Sequence, residues 1–183
     1  MKKKCIRFIS LAFFLILAGA AWAVDCGDTA GPGGTDVPCD CGDRVVSDTI
    51  LDSGTDPVVS TVCTGNGLVL ADGWVLDLNG NTIEGSATGF GVMIEAGANN
   101  VTIKDGIVER FGTGIGTDDT TLIPSSTTGS TISRIKARRN TDTGISVVGS
   151  NNILDLNRLQ FNIESGILVY GDENKLIRNQ VIC

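Results

Sequence analysis

The chain has 183 residues, with 14 Lys+Arg against 21 Asp+Glu, 24 glycines, six cysteines and no histidine. An acidic balance of this kind argues against general nucleic-acid binding, which needs a basic face. The missing histidine removes the commonest general base and the commonest imidazole metal ligand.

Lys2, Lys3, Lys4 and Arg7 precede an apolar run from Phe8 to Trp22, and Ala21-Trp22-Ala23 supplies small residues around a cleavage point. This pattern predicts a secretory signal peptide over residues 1–23, cut after Ala23. The apolar run is short for a membrane span and no second one follows, so no span is expected after cleavage. The leader holds four cations and no acid, leaving ten Lys+Arg against 21 Asp+Glu in the mature chain, a net charge of −11. The expected location is secreted or periplasmic.

Residues 24–66 read as a cysteine-containing cap and lead-in, with Cys26, Cys39, Cys41 and Cys63 in an oxidising compartment. Cys39 and Cys41 are too close in sequence to pair readily with each other. The favoured pairs are Cys41–Cys63 and Cys26–Cys39, although four cysteines permit three connectivities. A metal held by Cys39-x-Cys41 is the competing reading. A cap fastened in this way would cover the open edge of whatever follows.

From residue 67 to 183 a glycine followed by an apolar-x-apolar triplet recurs at Gly67, Gly91, Gly114, Gly144 and Gly166, at intervals of 24, 23, 30 and 22. Such a period marks a repeat fold in which no unit buries its own apolar face. Thirteen or fourteen residues after four of these glycines stand Asn81, Asp105, Asn157 and Asn179, with Ser133 at the matching place in the remaining unit. Short polar side chains at a turn tolerate left-handed backbone and can hydrogen-bond from one coil to the next, so these four are expected to form a structural ladder. A leucine-rich repeat would share the period, and Leu156-x-x-Leu159-x-Phe161 echoes it once, but Glu164 stands where that repeat needs Asn.

The strings LDLNGNTI (76–83) and NVTIKDGIVERFGTGI (100–115) resemble the right-handed parallel β-helix repeat proteins, the pectate-lyase-like superfamily. The resemblance covers about residues 42–183 and implies an all-β solenoid of about five coils, three short strands per coil, behind a disulfide-linked N-terminal cap. It is closest to uncharacterised secreted members. The chain ends without a closing segment, which reads as an uncapped or truncated C-terminus. Cys183 is expected to point inward onto Phe161.

In enzymes of that superfamily the first strand of each coil lines the substrate groove. Strand alternation places Val69, Met93, Gly116, Ser146 and Leu168 outward there, followed by Glu95, Val148 and Tyr170. A uronate lyase or epimerase needs an Arg or Lys base and acids or calcium; this face offers Glu95 and Tyr170 as its weak catalytic candidates. Polygalacturonases of the same fold carry an ordered set of segments that Asp118-Asp119, Arg134-Ile135-Lys136 and Asn140-Thr141-Asp142 echo in scrambled order, without the histidine segment. Paired carboxylates must flank one bond, so scrambling removes the chemistry. A resemblance to periplasmic β-helix proteins that mature copper enzymes fails on the absent His and scarce Met.

An enlarged loop, Thr117 to Gly129, carries Asp118 and Asp119; these are weak candidates for Ca2+, with no matching motif, and no cofactor is otherwise indicated. On the third strand Ile83, Ile107, Ile135, Leu159 and Val181 are expected to stack inward. Asp155 falls where neighbouring coils have Ile103 and Ile177, a break in strict alternation. Outward lie Arg110, Arg134, Lys136, Arg138 and Arg158, beside Glu84 and Gln160, a basic stripe able to bind an anionic polysaccharide or a cell-surface partner. The expected function is a non-catalytic exported module; the alternative is a polysaccharide lyase or epimerase, in a truncated form.

Overall fold

The computed structural model describes residues 24–28, 36–117 and 127–182. The leader, Asp118, Asp119 and Cys183 lie outside these residues.

The chain winds as a parallel β-solenoid of six coils. A short strand β1 (Asp25–Cys26) precedes them. The first coil contains β2 (Asp43–Val45), β3 (Thr49–Ile50) and β4 (Val62–Cys63). The second contains β5 (Leu68–Leu70), β6 (Val75–Asp77) and β7 (Thr82–Gly85). In the third, β8 (Phe90–Ile94) is followed by one long strand, β9 (Thr102–Glu109), that bends through both remaining sides. The fourth repeats this with β10 (Thr113–Thr117) and β11 (Thr131–Arg138). The fifth holds β12 (Thr143–Val148), β13 (Ile153–Asp155) and β14 (Arg158–Gln160), and the sixth β15 (Ser165–Tyr170), β16 (Lys175–Ile177) and β17 (Gln180–Ile182). Strands stack coil on coil, the first side in the order β1-β2-β5-β8-β10-β12-β15, with every ladder parallel.

The recurrent glycine is a close-approach residue. A Cβ on Gly67 would lie 2.2 Å from the carbonyl oxygen of Gly91, one on Gly114 2.5 Å from that of Gly144, and one on Gly144 2.6 Å from that of Gly166. The glycine column is therefore fixed by backbone packing against the next coil. Inside, the residue after each glycine stacks in register: Leu68, Val92, Ile115, Ile145 and Ile167. A second inner column is Leu76, Ile103, Ile132, Leu154 and Leu176.

The coil beyond the five expected is the first, which begins at β2 inside the segment read as a cap. Its Gly42 is followed by Asp43, which breaks the apolar pattern yet sits inward beside Leu68 and is 8% exposed. Its carboxylate accepts hydrogen bonds from the amides of Val24 at 3.1 Å and Asp40 at 2.8 Å, which removes the cost of burying it. The cap itself is held by disulfides Cys26–Cys39 and Cys41–Cys63. Asp56 is buried there, with Oδ1 accepting from the Cys39 amide and Oδ2 from the Asp52 amide, both at 2.7 Å.

Several register expectations shift. The inner column of the third side is Ile83, Val108, Ala137, Leu159 and Val181, so Val108 takes the place expected for Ile107, which faces out between Thr82 and Lys136. Ile135 is buried as expected, but at the corner, opposite Gly106. Asp105 is not a ladder residue. It occupies the left-handed corner (φ 60°) one position earlier and points its carboxylate outward to Arg134. Gly106 stands in the ladder column, where a Cβ would come 2.3 Å from that of Leu78. Ser133 likewise pairs with Lys104 and Asp155 on the outer face, and Asp155 breaks no alternation, since Ile177 beside it is outward too, 40% exposed. Phe161 is a left-handed corner (φ 55°) and 57% exposed, so it faces outward.

Asn157 and Asn179 do stack. The Oδ1 of Asn157 accepts from the Ile135 amide at 2.9 Å and its Nδ2 donates to the Ile132 carbonyl at 2.9 Å; Asn179 repeats both bonds to Asn157 and Leu154. Asn81 donates to the Leu51 carbonyl. Two further ladders flank this one, Asn152 with Asn174 and Asn140 with Asn162. Each ladder asparagine of the last two coils follows a left-handed residue (Arg139, Asn151, Leu156, Phe161, Glu173 or Arg178), where the chain turns a corner and leaves backbone groups for the amide to satisfy.

Candidate functional site

Two outer surfaces hold the functional candidates. The first is the outer face of the β2-β5-β8-β10-β12-β15 side. Its central row is Arg44, Val69, Met93, Gly116, Ser146 and Leu168, in register along the axis. The ring of Phe90 covers Gly116, where a Cβ would meet it at 2.7 Å. Glu95 lies on this face and is gripped by Arg44, with Nε donating to Oε1 at 2.6 Å and Nη2 to Oε2 at 2.9 Å. That hydrogen bonding holds the Glu95 carboxyl below its ordinary range and pushes the Arg44 guanidinium above its own. Tyr170 stands 59% exposed beside Val148. It follows Glu95 by three coil steps, roughly 14 Å at the interstrand spacing. An acid and a base acting on one bond sit closer than that, within about 10 Å. The structure does not bring the two candidates together. Arg44 was missed in the sequence because its coil lacks the apolar mark.

The second surface is the outer face of the third side, with its corners. Lys136, Arg138 and Arg158 lie on β11 and β14, with Lys136 opposite Arg158 and Arg138 opposite Gln160. Arg134 and Arg110 stand at corners on either side of this face, at φ 54° and 61°. Three of the five reach back one coil to a carboxylate. Arg110 meets Glu84 at 2.5 Å, Arg138 meets Glu109 at 2.5 and 3.2 Å, and Arg134 grips Asp105 through two bonds, the Nη2–Oδ2 contact at 2.7 Å. Hydrogen bonds from Arg134 hold the Asp105 carboxyl low. Sequence reasoning did not find the two other members of this series, Lys104 with Asp77 and Arg178 with Asp155. These side chains stand 23 to 29 residues apart, an offset that varies with coil length and leaves no fixed sequence signal.

Among the described residues no group of three or more Cys, Asp or Glu side chains is placed to hold a metal ion, and no helix is long and apolar enough to cross a membrane. No curated protein and no solved structure matches the chain. A family model described as a right handed beta helix region matches residues 49–182, which includes coils two to six and reaches back into the first. Parallel ladders, inward aliphatic columns and corner asparagines agree with that match, and the chain belongs to the right-handed β-helix family.

Proposed function

We propose that this chain is an exported, non-catalytic β-helix module that presents its rigid sheet faces to an anionic glycan on a cell surface or in the surrounding matrix. The observation that carries the non-catalytic reading is the commitment of Glu95. It is bound bidentately by Arg44, which lowers its basicity, and it lies far from Tyr170. Two disulfides fit an oxidising compartment, in keeping with export. The cations of the third side supply the anion-facing surface. Solenoid faces are flat and extended, which suits a polymer better than a small molecule.

A lyase or epimerase acting on uronate polymers is the second reading, and Arg44 is the observation that favours it, since such enzymes of this superfamily use Arg or Lys as base. A basic arginine needs a depressed pKa, however, and Glu95 shifts Arg44 the opposite way. The test is incubation with polygalacturonate and alginate, with and without calcium. β-Elimination would create an unsaturated uronate that absorbs in the near ultraviolet. No absorbing product is expected, and salt-sensitive retention on an anionic-glycan column is. An absorbing product would overturn the non-catalytic reading.

A further inference from the structure

Ten Lys and Arg side chains lie among the described residues. Six of them, Arg44, Lys104, Arg110, Arg134, Arg138 and Arg178, have a carboxylate partner. Five of these six follow one rule: the cation of one coil meets the acid of the coil before it. The exception is Arg44, which reaches forward to Glu95. At one step the rule is reversed. Lys136 and Arg158 are direct register partners on adjacent parallel strands, with outward side chains and no carboxylate partner among the described residues. Their row continues as Thr82 and Ile107 on one side and Gln180 on the other, none of them acidic. Like charges directly opposite on neighbouring strands, about 4.8 Å apart, repel unless something neutralises them.

We infer that Lys136 and Arg158 form an oxyanion-binding step, bridging one carboxylate or sulfate ester of an acidic polysaccharide laid along the outer face of β11 and β14. The Arg158 guanidinium is already fixed for this. With its oxygen turned toward Arg158, the Gln160 carboxamide accepts from Nε and Nη2 at 3.1 Å each, leaving the other guanidinium donors for a ligand. Thr82 and Gln180 extend the row with groups that can hydrogen-bond sugar hydroxyls. Parallel to it, Arg138 and Glu109 neutralise each other and contribute no net charge. Sparse anionic groups suit this arrangement. A phosphate backbone or anionic bilayer would bring dense negative charge against Glu84, Glu109 and a strongly acidic chain.

This inference rests on the glycan-binding reading and narrows it to two residues that sequence alone could not separate from their neighbours. The experiment measures binding of the full disulfide-bonded chain to polygalacturonate, dextran sulfate and neutral dextran. Lys136→Gln with Arg158→Gln should weaken binding to an anionic polymer by roughly tenfold per cation lost. Lys104→Gln with Lys175→Gln removes as much charge from the second side of the solenoid, away from this row, and should change binding by about twofold at most. Lys136→Arg with Arg158→Lys should retain binding, which keeps a charge effect separate from a folding defect. Preference for polygalacturonate assigns a carboxylate, and preference for dextran sulfate a sulfate ester. Equal losses in the two neutralised pairs, or none in the first, would overturn the site while leaving the wider reading standing. Failure of the parent chain to bind either anionic polymer would sink both.

Discussion

Arg44 and Glu95 are 51 residues apart in sequence and two coils apart in space, yet their side chains meet in a two-pronged bond that passes over the intervening Val69. The pair ties the first coil, with its disulfide-bound cap, to the third. Because Arg44 lowers the Glu95 pKa, the pair contributes stability in full above the ordinary glutamate value of about 4.5. That contribution declines as pH falls below this value and is gone below the depressed native pKa. Arg44→Gln should therefore lower the urea midpoint at neutral pH, and the gap from the parent should close on acidification. Since both side chains are partly exposed, the neutral-pH gap should be modest, about 1 kcal/mol or less. A gap that stays constant with pH would show that Arg44 acts through packing alone.

The glycine column makes a sharper prediction, because there the cost is steric. Alanine at Gly114 would place its Cβ 2.5 Å from the Gly144 carbonyl oxygen and 2.8 Å from Asn140 Nδ2. Neither atom is free to retreat, as both belong to the next coil's packed corner and edge. Gly114→Ala should destabilise by about 1–3 kcal/mol, as overpacking does. Gly65, in contrast, has nothing within 4 Å of the added carbon and no positive φ. Gly65→Ala should be neutral or slightly stabilising through the unfolded chain. Thermal midpoints of the two variants decide it; equal shifts would mean that the column reflects something other than close approach.

Asn157 tests the ladder. It is 1% exposed and its amide satisfies one amide and one carbonyl of the preceding coil. Asn157→Ala leaves both buried groups unpaired and should cost about 1–3 kcal/mol. Asn157→Asp keeps the acceptor but buries a charge against the Ile132 carbonyl, so its native pKa should rise. It should be the less stable variant at neutral pH and recover on acidification, when the protonated carboxyl can donate to that carbonyl. An Asp variant insensitive to pH would place this side chain in contact with solvent.

The glycine column was legible because its cause is the same in every coil: backbone meets backbone. The first coil escaped notice because Asp43 fills an apolar position and is stabilised by two amides that only the folded cap provides. Asp105 and Ile107 were misplaced for a different reason. Between the inner residues Leu70 and Leu76 of the second coil there are fewer residues than between Ile94 and Ile103 of the third, while the following turn is shorter in the third coil. The two changes nearly cancel, so counting from glycine to asparagine lands one residue off, and one residue reverses a strand's faces. The cations of the basic stripe were visible by type. Their partners Glu84, Asp105 and Glu109 were not, because adjacency across coils depends on turn lengths that vary.

The two disulfides should differ in what they protect. Cys41–Cys63 joins the entry of the first coil to the end of its last strand, across a separation of 22 residues, and Cys63 is 1% exposed within the core. Removing it by Cys41→Ser with Cys63→Ser should cost about 3 kcal/mol in the chain-entropy picture and lower the midpoint of the whole solenoid, since the first coil is a wall of the core. Cys26–Cys39 instead fastens β1, which among the described residues lies at the end of its sheet with a ladder to β2 alone. Its removal should leave the coils intact and release the edge locally. Hydrogen exchange distinguishes the two. Without Cys26–Cys39, the Val46 amide, which donates to the Cys26 carbonyl, should lose protection while Ile115 and Ile145 keep theirs. Without Cys41–Cys63, protection at Leu68 and Val92 should fall as well. Global loss from removing Cys26–Cys39 alone would make β1 an integral part of the cooperative unit instead of a cover on its edge.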